Sequence, residues 1–443
     1  MSRVMTHDVV GTYHDARRFS PRRFFSVRRL LALSAFAALV TAGAAGVHAG
    51  RAQAATHPRL VLTRGAITAI RARLAAKGQP QTGAMSVFKI RLSNCLSDSP
   101  NVYHGPFRGT DLSAARADFA KLEKDGSKAR DLGIGYVLTG NKRYATQARR
   151  FLLAWANGNT PTTIDDWNAK NAGQLQSTGD FSFAYAYDLT YGSGVYSSAD
   201  RAVIRSWFHR CIAAVQSCLR PTLKDYYFSH PDFADMKGTY EWDSSRHYSL
   251  YDAALVGSDF TALIQAASLA MAYDTGDKAT IYKVMTSTSN PLGIRKILRS
   301  ALTPHNDGDG AGTNPVPQKE VYKKYVSGRG GMFDYMTYNT RICSVLADMA
   351  AHVGWSDASV KAARAKLHTS WAYMAAYFPP SARRSFNPKD SINLTADLPR
   401  FTLAYHDFGD PRFLAVISSH DRAHYTEPQL LGPITLTHSI VGK

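Results

Sequence analysis

The chain has 443 residues and four scattered cysteines, and its formal net charge at pH 7 is +19. The length allows a large core, and four cysteines in so long a chain exclude a disulfide-stapled scaffold. A strongly basic protein is expected to bind polyanions, but no basic helix, zinc-ligand spacing or RNP-like motif supports a nucleic-acid partner.

Residues 1–54 have the layout of an export signal. Arginine pairs such as Arg22-Arg23 precede an apolar run from Leu30 to Ala45, and Ala52-Gln53-Ala54 is a small-x-small cleavage signature. The segment Ser-Pro-Arg-Arg-Phe-Phe at 20–25 is similar to a twin-arginine signal. The apolar run is shorter than the roughly 20 residues needed to cross a bilayer, so no membrane span is expected in the mature form; an uncleaved anchor is the alternative.

These features predict a bacterial protein that is exported in its folded state, with a signal peptide at 1–54 and a single domain at 55–443. Residues 1–54 carry eight arginines and two aspartates, so their removal leaves a net charge of +13. We expect the mature protein to act as a monomer on an acidic polysaccharide, secreted or otherwise outside the cytoplasm.

Apolar residues recur with helical spacing along most of the chain, whereas β-type alternation is scarce. The predicted helices are Ala66–Ala76, Ala114–Lys124, Arg130–Leu138, Tyr144–Trp155, Ala199–Leu219, Leu250–Tyr273, Tyr338–Val353, Ser359–Tyr377 and Arg400–Tyr405. The predicted main loops are Asn157–Asn171, Asp225–Arg246, Thr303–Gly331 and Pro379–Asp397, and the C-terminal tail is less regular.

Three junctions repeat one pattern, in which a helix ends at a glycine and the next begins after a polar N-cap. They lie at Tyr136–Tyr144, Ala272–Lys278 and Ala404–Phe413. Recurrent helical hairpins predict an all-α protein, an (α/α) toroid or incomplete α/α barrel. An open solenoid is the alternative, although its repeats usually diverge less.

The chemistry is concentrated in two polar clusters, one at Arg246-His247 and one that contains Arg329 and Tyr335. A fixed cation, a phenol and a histidine are suited to removing the proton next to a carboxylate, the step that cleaves uronic-acid polysaccharides by β-elimination. Arg329 offers paired donors for the charge that develops on the carboxylate, and Arg246 could share this role. Tyr335 can act as acid, or as both acid and base, while His247 can act as base or neutralise the carboxylate.

Further residues are candidates for contacts with substrate. Aromatic side chains at Tyr240, Trp242 and Tyr248 could stack on sugar rings, Lys324 could bind a carboxylate, and Gln174 could line a polar cleft wall. Tyr338, three residues after Tyr335, is a second phenol near the proposed acid. For each of these, ordinary packing or solvation is the alternative role.

The chain resembles the alginate lyase superfamily of α/α-toroid polysaccharide lyases. The resemblance rests on the opening His57–Thr63, on the segment Ser244–Ser249 before a long helix, and on Asp307-Gly308, Pro317–Glu320, Arg329 and Tyr335. It implies a toroid fold and a lyase of alginate or glucuronan type, with Tyr335 and His247 in catalysis. We expect no cofactor and no metal. The sequence departs from the family pattern at two points, and both bear on which substrate is cleaved. Arg246 replaces the usual asparagine, and the spacing from Arg329 to Tyr335 is one residue shorter.

Two other functions remain open. A toroid glycoside hydrolase would need a pair of carboxylates, and the acidic residues Asp165, Asp166, Asp232, Asp235, Glu241 and Asp243 form no recognisable pair. A non-catalytic protein that binds acidic glycans would retain the polymer without shortening it. A lyase is distinguished from both because its product carries a C4–C5 double bond that absorbs ultraviolet light.

Overall fold

The computed structural model describes residues 57–105, 112–161, 169–219, 259–285, 292–300, 304–306, 313–315, 332–355, 358–378 and 394–439. All of them lie in the compact unit Gly50–Lys443. The predicted signal at 1–54 lies outside the described residues, so the proposed boundary after residue 54 stays a prediction.

The described residues form α-helices and one short two-stranded hairpin. The helices are α1 (Arg64–Ala75), α2 (Gln81–Ser97), α3 (Leu112–Thr139), α4 (Lys142–Gly158), α5 (Ala169–Thr190), α6 (Ser198–Ser217), α7 (Asp259–Thr275), α8 (Lys278–Met285), α9 (Ile294–Ser300), α10 (Met332–His352), α11 (Ala358–Ala375), α12 (Leu394–Phe408), α13 (Pro411–Ile417) and α14 (Ile434–His438). Strands β1 (Pro304–Asn306) and β2 (Thr313–Pro315) pair antiparallel, with His305 opposite Asn314.

The helices form two layers. The inner layer runs α3, α5, α7, α10, α12 and α14, each packed on the next, and α2 joins α14 back to α3. Helices α4, α6, α8, α11 and α13 pack against this layer. The apolar helix α7 illustrates an inner position, because nearly its whole length is buried. The fold is an all-α (α/α) toroid, as predicted.

The three repeated junctions are built as the sequence predicts. Gly140, Gly276 and Gly409 have φ angles of 74°, 70° and 63°, a region that glycine enters without steric cost. Asn141 and Asp410 then accept hydrogen bonds from backbone N–H groups two residues later, at 3.0 and 2.9 Å. Each junction therefore reverses the chain between two packed helices.

Several predicted boundaries differ from the structure. The two helices predicted at 114–124 and 130–138 are the single helix α3, because the polar run between them is buried in the helix instead of forming a turn. Within that run Asp125 is 1% exposed and accepts a hydrogen bond from Trp155 Nε1 at 2.9 Å. Helices α2 and α5 were missed, and α12 begins at Leu394, inside a predicted loop.

Helices α3 and α5 approach each other closely through glycines. A Cβ atom added at Gly126 would lie 2.8 Å from the carbonyl oxygen of Gly179, and one added at Gly179 would lie 2.5 Å from Leu122 Cγ. Real Cβ atoms do not approach backbone oxygen this closely, so each position accepts only glycine without a shift of the helices. The contact sets the spacing of the two inner helices that precede α7.

The four cysteines, Cys95, Cys211, Cys218 and Cys343, are buried, and none of them forms a disulfide bond within the described residues. Their role is packing, as the sequence predicts. Among the described helices, none is both long and apolar enough to cross a membrane.

We expect Gly126→Ala to lower the free energy of unfolding by about 1–3 kcal/mol, the usual scale of overpacking in a core. Gly192→Ala is the matched control, because a Cβ there would meet no atom within 4 Å. Chemical denaturation of both variants tests this. Equal stabilities for the two variants would show that α3 and α5 can separate at no cost.

Candidate active site

Two of the ten residues predicted for the site have described side chains, and these two are in contact. Gln174 Nε2 donates to the phenolic oxygen of Tyr338 at 3.3 Å and to Asp259 Oδ2 at 3.2 Å. Gln174 lies in the second turn of α5, Tyr338 in the second turn of α10, and Asp259 is the first residue of α7. The N-terminal turns of three inner helices therefore meet at one polar cluster.

Two guanidinium groups lie against the ring of Tyr338. The Cζ atom of Arg341 is 4.3 Å from the ring centroid, and that of Arg400 is 5.4 Å away. Arginine over an aromatic face is attracted by the ring quadrupole, more strongly when water is excluded. Arg341 lies one turn after Tyr338 on α10, whereas Arg400 comes from α12, so the phenol is held from two helices.

Arg341 is itself held by a buried ion pair. It donates to Glu427, and also to Gln429 Oε1 at 3.1 Å. Burial alone would raise the pKa of Glu427, but Arg341 and the backbone N–H groups of Leu430 and Leu431 outweigh it, so this pKa lies below its usual value. Glu427 is therefore an ionised partner that fixes the guanidinium beneath Tyr338.

Arg400 is fixed in a similar way. Its Nη1 donates to Thr337 Oγ1 at 2.7 Å and to Asp397 Oδ1 at 3.0 Å, and the threonine hydroxyl donates to the same carboxylate oxygen at 2.6 Å. Each of the two arginines thus has an acidic partner.

The environment of Tyr338 keeps its phenol protonated. Burial raises the pKa of Tyr338 to about 12; the Arg341 charge and the Gln174 hydrogen bond oppose this rise, and Asp259 adds to it. A phenol with this pKa is a poor base at neutral pH. Its oxygen accepts the amide proton of Gln174, and its own proton can be donated to a substrate oxygen. The substrate contact predicted for Tyr338 from the sequence stays a prediction.

Tyr335, the predicted acid or base, lies in the first turn of α10, three residues before Tyr338. Residues three apart are neighbours on a helix surface, so the backbone brings Tyr335 to the end of α10 where the cluster lies. Its side chain is outside the described part of the structure. The remaining predicted residues, Tyr240, Trp242, Arg246, His247, Tyr248, Lys324 and Arg329, also lie outside the described residues, so their roles stay predictions.

Sequence reasoning missed Asp259, Arg341, Arg400 and Glu427 in this cluster. The one available signal was Arg341, a charged residue inside the apolar run of α10 that needs a buried partner. The other three carry no local pattern, because they lie on α7, on α12 and in the C-terminal segment and meet only in the folded chain.

Comparison with known proteins agrees with this architecture. The family model described as "Alginate lyase" matches residues 97–220. No curated protein sequence matches the chain significantly.

Solved structures with the same fold include a single-residue variant of alginate lyase A1-III, from Sphingomonas species A1, in complex with a tetrasaccharide. It is 14% identical, with a TM-score of 0.52, and the match covers 86% of this chain and 99% of the other. An alginate lyase from Bacteroides ovatus is 13% identical, with a TM-score of 0.50 and coverage of 87% and 100%. The family match covers residues 97–220, and the solved structures show that the chain shares the (α/α)-toroid fold of these alginate lyases.

Proposed function

We propose that the chain is an exported lyase that cleaves a uronic-acid-containing polysaccharide, of alginate or glucuronan type, by β-elimination. The observation that carries the proposal is the contact of Gln174 with Tyr338 at the meeting point of α5, α7 and α10. Two residues chosen for substrate contact from the sequence alone thus lie together in the toroid. Support for the substrate class comes from the solved relatives described as alginate lyases, one of them with a bound tetrasaccharide.

The reaction removes the proton from C5 of a uronate and breaks the bond between C4 and the bridging oxygen O4. Negative charge grows on the carboxylate as the C5 proton leaves, and stabilising it is the largest demand on the enzyme. Since Arg341 and Arg400 have acidic partners, this task falls to Arg329, Arg246 and His247.

The proton transfers fall to Tyr335 and His247. One group takes the C5 proton, and a protonated group returns a proton to O4 as it departs, which leaves a double bond between C4 and C5. A tyrosine beside a cation can perform both steps in turn, because the cation lowers its pKa of about 10. Tyr338 and Gln174 bind sugar hydroxyls next to this point.

Tyr335→Phe removes the phenolic hydroxyl and keeps the ring. If Tyr335 transfers the proton, kcat should fall by about 10²-fold or more, the usual scale for a general acid or base, with little change in KM because the phenol acts mainly in the transition state. Steady-state kinetics followed by the absorbance of the C4–C5 double bond tests this, on the polymer chosen by a screen of alginate, glucuronan, hyaluronan, heparin-type and pectic substrates. Near-normal kcat in the folded variant would contradict the assignment, and cleavage without absorbance would indicate a hydrolase.

Tyr338→Phe is the matched comparison one helical turn away. Its phenol is protonated and fixed by Gln174, so we expect KM to rise several-fold and kcat to change by less than about 10-fold, as for a group that binds ground state and transition state alike. The same absorbance assay measures both parameters. A loss of kcat as large as that of Tyr335→Phe would transfer the proton-transfer role to Tyr338.

Export by the twin-arginine route is proposed from residues 20–25. Replacing both Arg22 and Arg23 by Lys should leave the precursor in the cytoplasm, because that route reads the arginine pair itself. Replacing Arg17 and Arg18 by Lys is the same charge-conserving substitution at another arginine pair, and it should leave export intact. Immunoblots of cytoplasmic and exported fractions give the answer, and unchanged secretion of the first variant would show that this pair is not the signal.

A further inference from the structure

A histidine and two aspartates meet at the end of α5 and α7 that is remote from the candidate active site. His57 precedes α1, Asp188 lies in the last turn of α5, and Asp274 lies in the last turn of α7. One ligand atom from each residue lies within 4.8 Å of the others. Gln174 and Asp188 are separated along α5 by about 20 Å at 1.5 Å per residue, so this cluster is distinct from the catalytic end of the toroid.

Asp274 is the unusual member of the cluster. Its side chain is fully buried, and neither carboxylate oxygen has a hydrogen-bond partner among the described residues. Burial raises the pKa of Asp274 well above its usual value; the charge of Asp188 adds to this rise and that of Arg59 opposes it. A buried carboxylate without a partner is costly, and it faces His57 Nδ1 at 3.9 Å. A bound ligand would supply the partner that the Asp274 carboxylate lacks.

The other two side chains are already oriented. Asp188 Oδ2 accepts the backbone N–H groups of Arg59 and Leu60 at 2.9 and 3.0 Å, and Oδ1 lies 2.5 Å from His57 Nδ1. The imidazole ring of His57 stacks on Tyr191 with a centroid distance of 4.1 Å. The backbone hydrogen bonds and the ring stacking orient Asp188 and His57, as such contacts orient the ligands of metal sites. The hydrogen bond between His57 Nδ1 and Asp188 Oδ1 would be replaced by bonds from both atoms to the ion, with release of the proton between them.

The charge of the cluster also favours a cation. Two carboxyl groups face one imidazole, and Arg59 is the cation that acts on Asp274. The Arg59 guanidinium is engaged with Tyr273, donating to its carbonyl oxygen at 2.7 Å and lying 5.3 Å from its ring centroid. A divalent ion between the three ligand atoms would neutralise both carboxylates and fill the missing contacts of Asp274.

We propose that His57 Nδ1 and one oxygen each of Asp188 and Asp274 bind a divalent transition-metal ion of the Zn²⁺ class. One imidazole with two carboxylates suits Zn²⁺, whereas Ca²⁺ and Mg²⁺ take oxygen ligands. Water completes the coordination. The ion fastens the N-terminal segment at His57 to the ends of two inner helices, so its role is structural and independent of the lyase chemistry.

The test uses the exported, tag-free protein after treatment with a chelator and dialysis. Titration with ZnCl₂ should show one equivalent bound per chain, and Zn²⁺ should raise Tm, because a ligand that binds only the folded state stabilises it. Ca²⁺ at the same concentration should not. Activity on the polymer should be equal with and without Zn²⁺ at a temperature well below Tm.

Asp274→Asn keeps the size of the side chain and removes its charge, so it should lower the Zn²⁺ affinity at least about 10-fold without lowering Tm in the absence of metal. If Asp274→Asn does not fold, the second variant is His57→Gln, because His57 is the partly exposed residue of the cluster. The control is His209→Gln, because His209 Nδ1 also lies near a carboxylate oxygen, Asp277 Oδ2 at 3.5 Å, but His209 is exposed. This variant should keep the full response to Zn²⁺.

Two results would overturn the proposal. One is the absence of stoichiometric binding to the wild-type protein at micromolar Zn²⁺, which would leave the cluster as a proton-sharing His–Asp–Asp group. The other is an equal rise in Tm for the wild type and for both site variants, which would place the binding elsewhere on the chain.

Discussion

The buried ion pair between Arg341 and Glu427 is the interaction on which the candidate site and the closure of the ring both depend. Arg341 belongs to the inner helix α10, and Glu427 begins a turn that ends at Gly432 and pairs with it. The same turn contacts α3, where Arg130 Nη1 donates to the carbonyl of Pro428 at 2.8 Å. The ion pair and this hydrogen bond together connect α10 with α3 through the turn, and the Arg341 guanidinium lies against the ring of Tyr338.

This dependence follows from the cost of burying charge. Removing one partner of a buried pair leaves the other uncompensated, typically at about 3–5 kcal/mol. Glu427 is further held by the N–H groups of Leu430 and Leu431 at 2.7 and 2.9 Å. Gly432 completes the turn at a φ of 74°, where a Cβ would lie 2.9 Å from Arg130 Nε. Residues 430–439 of the C-terminal segment are therefore a buried part of the toroid.

The two ends of α5 and α7 carry different chemistry. At their N-terminal ends, Gln174 and Asp259 form the polar cluster with Tyr338. At their C-terminal ends, Asp188 and Asp274 face His57. Both helices also carry buried polar residues between these ends, such as Asp180 on α5 and Gln265 on α7. The polar cluster and the His57 cluster therefore lie at opposite ends of the same two helices.

The sequence by itself determined the helical class and the Gly–polar junctions that reverse the chain, because these rest on local spacing and on glycine's access to positive φ. It mistook the polar run inside α3 for a turn, since the partners that bury Asp125 are distant in sequence. Only the tertiary structure brought Glu427 to Arg341 and Asp274 to His57. Such pairs produce no periodic pattern in the sequence, because each residue finds its ionic or hydrogen-bond partner on an element far along the chain.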